Sequence, residues 1–437
     1  MPSMRTLRQC YLVGFFIFLA FDSFSQSTTN SPYSRYGLGD LQYGGFSYNI
    51  PMGGLYNGIQ NDSTAPYYIN ASNPASHASI RLTVFDVGYK SNTTQLLAND
   101  KKYLSTQSTL SNLSLAFPVS KWWGASLGLI PYSSIGYRIY DTTHVDSIGK
   151  INFSYEGEGG INQVYLGNGF RYKRFYAGIN VSYLFGNLIF HSRDSFPAAA
   201  NFFITKRSQT SHVSDFHYTF GLQYNQTVMK NWQLIVGATG GMQTNISVKK
   251  TLLATTYKNV FGVEDVKDTI IYQDGIKDTV IMPMTIGGGI VLKKTDRWMF
   301  GFDYSMQNWS AFKSFGQTGA LKNSQRVAVG VQFIPNKSAG LKDPYYKKVF
   351  YRVGFRYTDS YLELKDTPIK DYALSFGAGF PLRKYKVGEI YSQSIVNIGF
   401  ELGTRGTTKN NLIQEKYINA VIGITLNDRW FIKRKYD

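Results

Sequence analysis

The chain is short of the residues that usually carry chemistry. Of its 437 residues one is cysteine and five are histidine, and 28 are acidic against 46 basic, a net charge of +18. Cys10 lies inside the apolar core of a leader, which argues against a lipoprotein cleavage site and leaves the mature chain with no thiol, disulfide or thiolate metal site. His77, His144, His191, His212 and His217 show neither an H-E-x-x-H pattern nor a paired metal-ligand spacing. There is no G-x-S-x-G and no Gly-Lys-Ser phosphate loop, so no catalytic residue, metal or cofactor is expected and the chain does not read as an enzyme. No run of about eighteen consecutive apolar residues exists, which excludes a transmembrane helix. A closed barrel remains open, because its strands cross a membrane without such a run.

Glycine and aromatics are abundant: 42 Gly, 33 Tyr and 30 Phe. Mean hydropathy is nevertheless only −0.22. Alternating strands produce this combination, since each apolar residue is followed by a polar or small one. Phe175, Ala177, Ile179, Val181, Tyr183 and Phe185 alternate with Tyr176, Gly178, Asn180, Ser182 and Gly186. The same period appears around Phe300, Val329 and Ile422.

Residues 1–25 read as a cleavable secretory signal, with Arg5 and Arg8 ahead of an apolar core and Ser25 at the cleavage site. Residues 26–79, rich in Gly, Tyr, Ser and Asn, hold no periodic core of their own and are expected to fill the barrel as a plug. Residues 80–426 form the barrel and 427–437 a basic periplasmic tail. Short turns with a leading aromatic, such as those at Trp122, Phe175, Trp232 and Trp298, alternate with long polar connections near 91–107, 140–159, 191–212, 249–279, 308–324, 359–370 and 403–414. That sorting predicts an all-β, antiparallel up-and-down transmembrane barrel of about fourteen strands. The echo of Asp265-Val-Lys-Asp-Thr269 in the stretch ending Lys277-Asp-Thr279 is expected to be a hairpin standing in the longest outer loop. Basic residues in the short turns, Lys173, Arg174, Lys293, Lys294, Lys347, Lys348, Arg383 and Lys384, are expected at a solvated periplasmic rim, facing lipid phosphates or an acidic partner rather than nucleic acid.

Inward positions carry ionisable groups: Asp303, Arg352, Arg356, Glu401 and His217. Charge away from water is costly, so the first four either line a wet channel or pair with each other and the plug; pairing with the plug is the expectation, through Arg35, Asp40 or Asp62. His217 reads as a hydrogen-bonded lumenal filler. The Gly287-Gly-Gly289 run sits in a strand, where small inward residues make room for a plug.

Asn73-Pro74-Ala75, placed just before the first strand behind an export signal, resembles the element found in FadL-type long-chain fatty-acid and hydrocarbon channels of the outer membrane. The resemblance implies that the N-terminal segment is a hatch and that the cell outer membrane is the location. The opening Ser31-Pro-Tyr-Ser-Arg-Tyr-Gly-Leu-Gly39 and the Asn427-Asp-Arg-Trp-Phe-Ile-Lys-Arg-Lys435 tail look like the Bacteroidota variants. Two functions fit. In one, small hydrophobic compounds pass a hatch path lined by Ile50, Met52, Leu55 and Ile59 and gated at Asn73, Pro74 and Ala75. In the other, the filled barrel is a structural or accessory subunit of an envelope secretion or outer-membrane protein assembly complex, binding another envelope protein through its loops or tail.

Overall fold

The structure is a computed structural model and describes residues 30–42, 45–62, 66–98, 101–146, 149–197, 202–261, 263–314, 317–318, 321–340, 342–387 and 390–430. The export signal and the last seven tail residues read from the sequence lie outside these.

Fourteen strands close a single antiparallel wall. They are β1 Thr83–Ala98, β2 Lys101–Pro118, β3 Trp123–Val145, β4 Gly149–Tyr172, β5 Phe175–Ser195, β6 Ile204–Met229 and β7 Trp232–Gly241. After a hairpin of Thr244–Val260 and Val263–Met282 come β8 Thr285–Lys294, β9 Trp298–Gln307, β10 Ser324–Phe333, β11 Phe350–Leu364, β12 Thr367–Pro381, β13 Ile395–Gly406 and β14 Gln414–Asp428. β1 pairs with β14 from Thr83↔Asp428 to Leu97↔Gln414, which closes the barrel with the first residue of β1 and the last of β14 together at the short-turn rim. The expected count and architecture are therefore those observed.

Alternation sorts the two faces of the wall. Phe216, Phe220, Phe302, Phe355, Phe376 and Ile422 are exposed outward, while Asn180, Ser182, Asp303, Arg352 and Asn419 are buried inward. At the short-turn rim Trp122, Trp123 and Phe170 stack on one another, and Trp298 packs 4.3 Å from Phe333. This is the aromatic girdle that a membrane–water boundary favours. Lys173 at φ 54° helps turn the chain in two residues between β4 and β5.

Two expectations change. Most of the long polar connections are not loops but strand, since β3, β4, β5 and β6 continue well beyond the apolar band and turn only at their tips. Thr, Ser, Asn and Tyr pair as well in a water-exposed ladder as apolar residues do in lipid, so polarity there marks exposure and not irregular backbone. The echoed Asp-Thr segments do not face each other either. Both lie on Val263–Met282, whose partner is Thr244–Val260, with register shifts at 266/268, 269/271 and 273/276 inside or at the edges of them. Thr244–Val260 also pairs with the outer part of β6, extending the wall upward.

One ladder is incomplete. β2 and β3 pair only from Leu113↔Leu129 to Pro118↔Gly124. Beyond that point β3 receives the N-terminal segment instead, with Asp40 opposite Ser134 and Leu41 opposite Ser133, and Gln42 N–H donating to the Tyr132 carbonyl at 3.0 Å. A closed wall of this kind is expected to migrate faster on a gel unheated than boiled. Identical migration of the two samples would contradict closure.

Candidate functional site

The N-terminal segment runs down the lumen from the outer half to the short-turn rim and is buried nearly throughout its described length. At its top Ser31 caps the 3-10 turn Pro32–Arg35 and donates to Glu415, while Arg405 joins Asp40 at 2.6 Å and Glu415 at 2.7 Å. In the middle, Gly53 and Gly54 both take left-handed φ, near 67° and 69°, against the wall. A Cβ on Gly53 would lie 2.7 Å from the Phe355 carbonyl oxygen, so a side chain is excluded by contact as well as by conformation. The carbonyls of these two glycines accept from Arg326 at 2.7 and 3.0 Å. Asp303 accepts the backbone N–H groups of Tyr56 and Asn57 at 2.7 and 3.0 Å.

Lower down, Asn73 caps the 3-10 turn Pro74–Ser79, accepting from the Ala75 N–H at 3.2 Å, and all six residues of the turn are buried. Pro74 supplies the fixed φ suited to a first helical position and biases Asn73 toward the extended conformation it adopts. The turn sits on inward glycines of the wall. A Cβ on Gly169 would be 2.7 Å from the Pro74 carbonyl oxygen, and one on Gly178 2.6 Å from the Ala75 nitrogen. Gly287 and Gly289 likewise leave room for Asn57, as their place in an otherwise alternating strand suggested. Near the rim Asp62 binds Lys293 at 2.7 Å and Lys337 at 3.4 Å. Burial pushes the Asp62 carboxyl up, but the two ammonium groups outweigh it and hold it below the usual carboxylate range.

Of the inward charges read from the sequence, Asp303 and Arg352 do reach the segment, Arg352 through the Tyr68 hydroxyl at 3.1 Å. Arg356 and Glu401 do not. Arg356 pairs within the wall, with Asp371 at 2.7 Å and Glu401 at 3.1 Å. Asp40 and Asp62 serve Arg405, Lys293 and Lys337, and Arg35 lies 5.0 Å over the Tyr155 ring. Register decides these partners, and pattern alone leaves relative height undetermined. Lys293 is correspondingly not a solvated rim lysine: it is buried and also donates to the Gln60 carbonyl at 3.1 Å. Alternation continued one step before Val327 points Arg326 inward; the polarity of Arg405 and Lys293 reads as loop and rim, and the sequence does not single out Glu415.

Met52, Leu55 and Ile59 are packed in an apolar cluster with Ile235, Val291 and Ala328 of the wall, whereas Ile50 borders a lumenal cavity of about 140 Å³. That cavity is lined by Lys90, Arg356, Asp371, Glu401, Arg405 and Glu415. A second, of about 170 Å³, lies beside Tyr132 and His217, whose rings meet edge-on at 6.5 Å. His77 Nε2 is 3.0 Å from Ser126 Oγ. In an open site this would be a base beside a nucleophile, but both residues are fully buried and wall glycines press on the ring, so no substrate has room to approach.

Fold and lumen together define a class: a closed fourteen-stranded antiparallel barrel filled by its own N-terminal segment. The monoaromatic hydrocarbon channel CymD shares it at 12% identity, covering 90% of this chain and 99% of that one with a TM-score of 0.55. The Pseudomonas putida toluene transporter TodX does so at 16% identity over 86% and 100%, TM-score 0.54, and a Pseudomonas aeruginosa FadL homologue at 11% over 87% and 98%, TM-score 0.53. At such identities the likeness is one of fold. Among curated proteins none matches. The chain belongs to the BamG family, whose model matches residues 7–437.

Replacing Gly178 by Val tests the seat. Valine favours strands, so any loss must come from crowding the Pro74–Ser79 turn, at about 1–3 kcal/mol. The barrel should stay heat-modifiable while added protease gains a cut between residues 66 and 82; unchanged protection would contradict the seat. His77 supplies a pH test. Burial pushes it down from 6.5 to about 4, so the unfolded chain binds the extra proton between those values. Stability is then complete above about pH 6.5 and falls toward pH 4, by on the order of 3 kcal/mol. Midpoints of urea unfolding across that range should slope for the parent and flatten for His77→Gln.

Proposed function

We propose that this chain is an outer-membrane barrel that acts as a structural or accessory subunit of an outer-membrane protein assembly complex, with its lumen permanently filled. The observation that carries the reading is the continuous fixation of the segment: Arg405 with Asp40 at the top, Arg326 and Asp303 on backbone groups in the middle, and the glycine seat and Lys293 with Asp62 below. Removing one member of such a buried set costs about 3–5 kcal/mol, so opening several together is prohibitive without compensation. Volume alone would admit a benzene-sized guest, since a dry cavity of roughly 150 Å³ holds one. The lining argues otherwise, because six of the side chains around the first cavity, Asp40, Arg356, Asp371, Glu401, Arg405 and Glu415, are charged and ion-paired and would have to surrender solvent or partner to an apolar guest. Membership of the BamG family weighs weakly on the same side.

A second reading, passage of small hydrophobic compounds, is favoured by the break between β2 and β3, which offers a lateral way out of the wall. Displacement of Asn73, Pro74 and Ala75 would then gate a path along Ile50, Met52, Leu55 and Ile59. Both readings place the chain in the outer membrane among its lipids.

Solubilisation in mild detergent, followed by mass spectrometry of what co-purifies, separates them. The assembly reading expects a stoichiometric envelope protein and no bound small hydrophobic molecule. A solitary barrel carrying such a molecule, whose uptake fails in a deletion strain, would sink it.

A further inference from the structure

Of the turns at the short-turn rim, four close the chain in two to four residues and two are longer. Residues 334–349 join β10 to β11, and residues 382–394 join β12 to β13. Neither is slack. Asn336 N–H donates to the Lys347 carbonyl at 2.8 Å, Leu382 N–H donates to the Ser394 carbonyl at 2.8 Å, and Tyr385 and Lys386 pair with Ser392 and Tyr391 in a short ladder. The turns also hold each other and the end of β14: Tyr345 Oη donates to the Pro381 carbonyl at 2.9 Å and Tyr385 Oη to the Asn427 carbonyl at 3.2 Å. They form one surface by direct contact.

The inner side of this surface holds the N-terminal segment. Lys337 joins Asp62 and reaches Asp296 at 3.1 Å, Asn427 accepts the Tyr67 N–H at 2.8 Å, and Tyr68 packs on the cluster of Ile334, Phe350 and Ile395. That task leaves the other side unexplained. Tyr345, Tyr385 and Tyr391 are each between 44% and 51% exposed, and Lys342, Arg383, Lys384 and Lys386 are exposed on the same two turns. Among the described residues Lys337 and Lys347 are the basic residues of these turns with a carboxylate partner, and those four cations have none. Over both turns the sequence holds seven basic residues against Asp343 and Glu389. The chain's own end adds Lys433, Arg434 and Lys435, the wrong charge to cover such a surface.

We propose that the two long turns dock an acidic segment of a periplasmic subunit of the assembly complex, carboxylates meeting Lys342, Arg383, Lys384 and Lys386 and apolar residues meeting the tyrosine rings. Tyr345 and Tyr385 have committed their hydroxyls to rim carbonyls, so their rings are held in place and lose little freedom on binding. Tyrosine and arginine are favoured at protein interfaces, and surface charge of one sign steers a partner of the other. Lipid is the poorer occupant, because the bonds to Asp62 and Tyr67 draw the turns across the end of the lumen and away from the hydrocarbon around the wall. Tyr346, whose carbonyl accepts from outward Tyr351 at 3.2 Å, marks the lipid side. The proposal rests on the assembly reading, with the short-turn rim in the periplasm, and adds to it the place of contact and the charge of the partner.

Photo-crosslinking residues placed singly at Lys342, Lys386 and Tyr391 of the full chain in its native membrane test it, with Tyr346 and outward Phe302 as lipid-side controls. The expected product joins the three positions, and not the controls, to an Asp- and Glu-rich stretch of one periplasmic protein, mapped by peptide mass spectrometry. The Lys342→Glu, Arg383→Glu, Lys384→Glu, Lys386→Glu variant should stay heat-modifiable and lose crosslinking at Tyr391 at least about tenfold. The same reversal at Lys101, Lys102, Lys370 and Lys416, exposed in the outer half of the wall, should leave it unchanged. Should the reversed chain fail to fold, the identity of the segment captured at Tyr391 in the otherwise unaltered chain still decides. Crosslinks to lipid alone, capture of a segment without excess carboxylates, or crosslinking that survives the reversal overturn the docking surface, and the assembly reading stands as long as an envelope protein co-purifies. If no envelope protein is captured by either route, both fall.

Discussion

A sheet that crosses a bilayer must satisfy its own backbone, because hydrocarbon offers neither donor nor acceptor. Closure of β1 on β14 is the answer here, and it has a consequence inside. An eight-stranded barrel is narrow enough for inward side chains to fill, while one of fourteen strands is not. The lumen then needs either water or a guest, and the described residues of the N-terminal segment, 30–42, 45–62 and 66–82, are that guest. Nearly every other feature of the wall, from its inward glycines to its buried cations, adapts to this one requirement.

The adaptation follows the chemistry of irregular chain. The segment consists of short 3-10 turns and extended pieces, so many of its backbone groups lack partners within it. The wall supplies them: Arg326 serves two carbonyls, Asp303 serves two N–H groups, and Gln223 donates to the carbonyls of Asn57 and Ile59, both at 3.0 Å. Such side chains act as substitutes for a ladder, which explains why so much charge points into a space with little water. Glycines do the complementary task of letting the backbone come close.

The wall was legible because alternation is a local property: any five residues around Phe300 or Ile422 disclose their faces. Short turns led by an aromatic were equally plain. Polar strand tips were not, since Thr, Ser and Asn in a water-exposed ladder look like loop. The site was legible by position more than by partner. Asn73-Pro74-Ala75 stood out, while Asp303 and Arg352 meet the segment through Tyr56, Asn57 and Tyr68 and not through the charged partners expected for them. That Arg356 would stay with Asp371, and that Lys293 would reach Asp62, depends on the stagger of strands far apart in sequence. Stagger is set by the whole closed ladder and by no single stretch.

The break between β2 and β3 decides how the two functional readings relate. In the outer half the segment takes over β3, through Leu41 and Gln42, and lies between the wall strands and the lumen. A route outward through the break therefore passes the very residues that satisfy the β3 edge, and opening it would strip that edge as well as the lumenal network. The irregularity is thus expensive as a door, and the interior, braced from Ser31 to the seat under Pro74, favours a lumen that stays filled.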